Sequence, residues 1–264
     1  MKVLLPTDYS DNALRAFEYV QELFTSPEDE FVLINIQNAR HAGAIMSIDL
    51  NQDIVNYSYA KMDELLSSIR VKNPDTKVTG LVTAGTFMDS ITEKIEELAP
   101  DFVAIGSKGA GRIKTALLGS NTSTLITHCD TPLIVVPNDV EIKYPNRALL
   151  ASDFVKDPNP ETYDPLLDLC YAKKAHLNIL HVTKPNETHF TAKDVPFNTE
   201  GLDYTLNERV DSDVEYAIID FIEQNDIDII GVVKSKGGFI HDLFHPSLTK
   251  KLGMHTDTPL MVLV

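Results

Sequence analysis

Two stretches of this chain are the same text written twice. Residues 101–137 and 228–264 align without a gap at a spacing of 127, and 12 of the 37 pairs are identical, including Asp130-Thr131-Pro132-Leu133 against Asp257-Thr258-Pro259-Leu260. Upstream, 148–154 (ALLASDF) echoes 3–9 (VLLPTDY) in the same order. A repeat of this length constrains the fold more than any single motif, because each copy must be one structural unit. The 264 residues suffice for two domains of ordinary size.

Each copy alternates short β-branched runs with helical periodicity, the pattern of βαβ units and a parallel sheet. In the first copy the strands read as Lys2–Pro6, Phe31–Ile36, Lys77–Thr83, Phe102–Gly106 and Leu133–Val136. Helices fill Asn12–Phe24, about Asp53–Val71, Phe87–Leu98 and Ser120–His128. Nearly continuous apolar strands are expected where both faces of a sheet are covered. The second copy predicts strands near Arg147–Ala151, Leu177–Thr183, Tyr204–Val210, Ile229–Val233 and Leu260–Leu263. Its register shifts by about 19 residues between the second and third strands, so most of the second helix is expected to be missing, within Pro185–Gly201. The expectation is an α/β chain of two tandem doubly wound, Rossmann-like, five-stranded parallel-sheet domains, 1–138 and 147–264, joined by the polar linker Asn138–Asn146.

In such a sheet, ligands sit beyond the carboxyl ends of the strands where strand order reverses, here between the first and fourth strands. Pro6-Thr7-Asp8 and Gly106-Ser107-Lys108-Gly109-Ala110-Gly111 should meet there. Glycines let the backbone approach a ligand with its N–H groups turned inward. Gly119-Ser120-Asn121-Thr122 opens the last helix, and unpaired N–H groups at a helix start favour an anion. Asp8 can instead serve as a cap for the helix near Asn12.

Gly106, Gly109, Gly119 and Ser120, with Asp8 and the closing Thr-Pro-Leu strand, resemble the glycine motif of the universal stress protein family in its tandem form. The resemblance implies an adenine nucleotide alpha hydrolase-like fold and the binding of ATP or a related adenine nucleotide, with or without Mg²⁺. Asp8 and Ile36 would frame adenine, and Gly106, Gly109 and Gly119 through Thr122 would hold ribose and phosphates. Lys108 stands where some members carry His. The implied role is a stress-response regulator or sensor. A slow ATPase or phosphotransferase using Ser120 or Thr122, and an interaction module without a ligand, are the alternatives.

The second copy departs from this motif. Gly106, Gly109 and Gly119 are replaced by Val233, Lys236 and Pro246, and of the motif only Ser120 is retained, as Ser247. The expectation is one nucleotide per chain. The resemblance also suggests that the two final strands, Leu133–Val136 and Leu260–Leu263, meet antiparallel, packing the halves as an intramolecular pseudo-dimer. Further self-association is left open.

A net charge of −16 and a pI near 4.8 argue against nucleic acid, whose binding needs clustered cations. No stretch approaches the ~18 apolar residues of a membrane span, and only four apolar positions precede Asp8 after Lys2, so a cytoplasmic location is expected. Gly109–Thr115 lacks the glycine before its lysine that a P-loop needs. His241 and His245 lack a third ligand at helical spacing and read as a solvated face. His181 reads as a hydrogen-bonded core residue. Cys129 and Cys170 form no CxxC pair and read as small buried apolar residues.

Overall fold

A computed structural model of the protein describes residues 1–38, 48–107, 118–152, 154, 159–185, 189–234 and 258–264. The first half runs β1 (Lys2–Pro6), α1 (Asp11–Leu23), β2 (Glu30–Asn38), α2 (Ile48–Lys72), β3 (Lys77–Gly85), α3 (Phe87–Leu98), β4 (Phe102–Gly106), α4 (Ser120–His128) and β5 (Leu133–Val136). The second half runs β6 (Arg147–Ala151), α5 (Asp164–Lys173), β7 (His176–Thr183), β8 (Tyr204–Val210), α6 (Val214–Asn225), β9 (Ile229–Val233) and β10 (Leu260–Leu263).

These strands form one ten-stranded sheet in the order β3-β2-β1-β4-β5-β10-β9-β6-β7-β8. Within each half every pairing is parallel; β5 and β10 pair antiparallel, with Leu260 opposite Val135 and Val262 opposite Leu133. The chain is therefore two tandem doubly wound five-stranded units. Strand order reverses where β1 meets β4, through Val3↔Phe102 and Leu4↔Val103, and again where β6 meets β9.

The apolar runs follow from burial on both faces. Val3 and Leu5 of β1 join one core with Phe17, Val20, Met62 and Leu66 of α1 and α2. Leu4 joins the opposite core with Ile91 of α3 and Leu125 of α4. Alternate side chains of a strand face opposite ways, so a strand between two helical layers has no polar side. Residues of the 138–146 linker bind both halves: Arg15 donates to the Val140 carbonyl (2.8 Å), and Lys143 pairs with Asp228 (3.0 Å).

The shortened crossover is the main difference between the copies. Between β7 and β8 the only helical turn among the described residues is the 3₁₀ segment Ala192–Asp194, where the first half has the 25-residue α2. Aromatic rings take over the covering of that face. Phe190 stacks on Phe154 (centroids 5.0 Å, 13° between planes) and on His181 (4.5 Å), while Phe197 packs on Tyr163 (5.0 Å). Glu208 of β8 pins this segment, accepting from the Phe190 N–H (3.0 Å) and the Thr183 hydroxyl (2.7 Å).

Candidate functional site

The switch point gathers the turn after β1, the end of β2, the end of β4 and the start of α4. Thr7 continues the ladder beyond β1 by donating its N–H to the Ile34 carbonyl (2.8 Å). The turn that follows is held by short polar contacts. Asp8 Oδ1 accepts from the Ser10 N–H (3.1 Å), and Thr7 Oγ1 accepts from the Tyr9 N–H (3.1 Å), both self-contained turns of the Asx and hydroxyl kind. Tyr9 takes φ 62°, a left-handed conformation that costs a non-glycine residue energy and persists only where its surroundings impose it. Ser10, not Asp8, caps α1, accepting from the Ala13 N–H. Asp8 is exposed at the mouth of the turn, while Pro6 is buried and Ile36 half-buried.

A hydrogen-bonded chain imposes the turn. Asn35, 5% exposed in the middle of β2, donates Nδ2 to the Thr7 carbonyl (2.8 Å). Gln37 Nε2 donates to Asn35 Oδ1 (2.6 Å) and to Ser58 Oγ on α2 (2.7 Å). The Tyr9 hydroxyl closes the loop by donating to the Ser58 carbonyl (2.8 Å), and burial pushes that phenol up to about 12. These residues were not singled out from the sequence; the signal available was a polar Asn inside the apolar run of β2.

Gly106 ends β4 where α1 begins. A Cβ there would lie 2.3 Å from Asn12 Oδ1 and 3.0 Å from the Asn12 carbonyl, so this glycine is required by helix–strand contact. The start of α4 is tied to the same point: the Thr122 hydroxyl, buried, donates to the Gly106 carbonyl (2.9 Å), and the Gly119 N–H donates to the Ser107 carbonyl (2.8 Å). Gly119 is the N-cap and supplies no side-chain cap. The first intrahelical bond is made by the Ser123 N–H, so those of Ser120, Asn121 and Thr122 have no partner within the helix. The backbone of Gly119 (φ −59°, ψ 149°) is open to any residue, so the conformation does not itself demand glycine. Ser120 and Asn121 are exposed. Lys108 and Gly109 lie outside the described residues, as do Asp153, Lys236, His241, His245, Pro246 and Ser247.

The corresponding place in the second half is built differently. His181 occupies the position of Asn35 and bonds the Ser152 carbonyl through Nδ1 (3.3 Å). A carbonyl only accepts, so the proton sits on Nδ1. Val233, buried, ends β9 where Gly106 ends β4. Among the described residues, no group of three or more His, Cys, Asp or Glu could hold a metal ion, and no helix is long and apolar enough to cross a membrane. Both cysteines are free and buried. Burial raises both thiols, Cys170 to about 12.

The model of the universal stress protein family matches residues 1–137. Universal stress protein MJ0577 of Methanocaldococcus jannaschii is 25% identical over 151 residues, covering 51% of this chain and 93% of that protein. The crystal structure of a universal stress protein from Archaeoglobus fulgidus aligns over 99% of this chain and 97% of that one, with a TM-score of 0.73 at 19% identity. An Arabidopsis thaliana universal stress protein family protein solved with AMP bound covers 52% of this chain and 91% of that one (17% identity, TM-score 0.36). With a family model spanning the first half and a full-length structural counterpart for both, the chain belongs to the universal stress protein family.

Proposed function

We propose that the first half, residues 1–138, binds one adenine nucleotide, ATP or a relative of it, and that the chain acts as a nucleotide-sensing regulator of a stress response. The observation that carries this reading is the start of α4. Three N–H groups without helical partners stand behind a glycine cap, on a helix anchored to the end of β4. Such a terminus favours phosphate through its donors and its dipole together. Gly119 would leave the space for approach, since its torsions need no glycine. Ser120 and Asn121 would meet the phosphates, as would Lys108 and Gly109 of the glycine motif. Asp8, Thr7 and Pro6 would frame the nucleoside on one side and Ile36 on the other. The Thr122 hydroxyl would act beneath, fixing the helix through Gly106, while its N–H joins the phosphate donors. Mg²⁺, if it enters, would come with the phosphates.

We read residues 147–264 as a degenerate copy that holds no nucleotide in this way, joined to the first as an intramolecular pseudo-dimer. Support comes from Val233 in place of Gly106 and from the antiparallel pairing of β5 with β10.

Calorimetric titration of the full chain with ATP, AMP and adenosine tests the reading. One site per chain is expected, with ATP held more tightly than adenosine. Gly119→Val should lose at least ~2 kcal/mol of that binding, the scale of charge-assisted hydrogen bonds. Two equivalent sites would overturn the degenerate second copy. Phosphate release during the titration would make the same site a slow hydrolase, and absence of any binding would leave an interaction module.

A further inference from the structure

Lys234 is the first residue after β9, and its N–H donates to the Leu263 carbonyl (2.8 Å). Ser107 does the same after β4, donating to Val136 (2.7 Å). The two residues are thus counterparts, each standing at the entrance to its half's glycine-motif position. Antiparallel pairing of β5 with β10 turns that end of the second half toward the carboxyl end of α4. There the Lys234 ammonium donates to the carbonyl of Cys129, the C-cap of α4 (2.7 Å), and to Asp130 Oδ1 (3.1 Å). The lysine side chain is only 21% exposed, whereas Asp130 is 95% exposed. The carbonyl is therefore the more sheltered of its two partners.

α4 is nine residues long, and its last carbonyls carry the negative end of its dipole. Its first turn is fixed from its own half, through Thr122 to Gly106 and Gly119 to Ser107. Its last turn is fixed from the other half, through Lys234. We propose that Lys234 is a positioning residue for the phosphate-binding end of α4, through which the degenerate half tunes the ligand affinity of the first. It neutralises the far end of the helix and fixes its tilt, so the N–H groups of Ser120 to Thr122 face the ligand with a net positive field. This inference rests on the nucleotide reading above.

The effect should concern phosphate, not the nucleoside. The full chain, Lys234→Met and Lys234→Arg are titrated with ATP and with adenosine, with thermal melting as a check of folding. Lys234→Gln replaces the Met variant if that one does not fold. Lys234→Met is expected to weaken ATP roughly two- to fivefold, the range of charge effects at helix ends, and to leave adenosine unchanged. Lys234→Arg should restore ATP. Equal weakening of both ligands would mean a merely structural contact at the seam and overturn the inference, as would ATP affinity unmoved by Lys234→Met. A wild-type chain with no preference for ATP over adenosine overturns the nucleotide reading itself, and this inference with it.

Discussion

Asn35 donates its side-chain amide to the main-chain carbonyl of Thr7 across 2.8 Å, inside the sheet and out of reach of water. That carbonyl lies one residue beyond β1, and the bond decides how the chain turns toward Asp8. Asn35→Leu should destabilise the protein by about 1–3 kcal/mol, the cost of stranding a buried acceptor. Urea unfolding followed by circular dichroism measures it. A loss well below 1 kcal/mol would show that Thr7 finds another donor.

Thr122 offers a cleaner separation of methyl from hydroxyl. Thr122→Val keeps the shape and removes the donor to Gly106, so a loss of about 1–2 kcal/mol is expected in the same measurement. Thr122→Ser keeps the hydroxyl and gives up one buried methyl, about 0.8 kcal/mol, so it should lose less than the valine variant. Equal losses in the two variants would assign the position to packing alone.

Gly106→Ala places a methyl against Asn12, and overpacking of this kind costs about 1–3 kcal/mol. Adding Asn12→Ala should recover part of the loss, since the nearest obstacle is the Asn12 side chain, while the carbonyl at 3.0 Å remains. A double-mutant cycle with no coupling would place the clash elsewhere.

Glu208 gives a pH dependence with a definite sign. The Phe190 N–H, the Thr183 hydroxyl and the His189 ring hold its carboxyl down at about 2, against an ordinary 4.5. A carboxylate depressed by folding contributes stability that is fully present above the unfolded value and is lost as pH falls toward the folded one. The aromatic segment over β7 should therefore loosen between about pH 5 and pH 2. Glu208→Gln should remove that part of the acid sensitivity, read by hydrogen exchange at the Phe190 amide. An exchange profile with the same pH dependence in both proteins would refute the assignment.

The repeat and the apolar runs made the strands legible almost to the residue. Lys2–Pro6, Phe102–Gly106, Tyr204–Val210 and Leu260–Leu263 are found as read. β2 runs on to Asn38 because it keeps pairing with β3 as far as Gly85, where Gln37 and Asn38 carry no apolar signal. At the site, Gly106 was visible as a glycine, but its reason was not. Contact with Asn12 depends on how α1 crosses β4, which local pattern does not encode. The chain from Asn35 through Gln37 and Ser58 to Tyr9 was equally hidden. It joins four positions from three elements that meet only in the folded sheet. Lys234 reaches α4 because two final strands pair, and no motif at position 234 announces it.

The antiparallel seam between β5 and β10 also governs how freely the two copies can diverge. Because it reverses one half against the other, the carboxyl ends of their strands lie along opposite margins of the sheet. Substitutions at the carboxyl strand ends of the second copy therefore do not press on those of the first. Lys234 meets the trailing end of α4, where a side chain can alter a neighbour's field without obstructing its mouth. On the nucleotide reading, that margin is a place where sequence drift can adjust affinity by small steps.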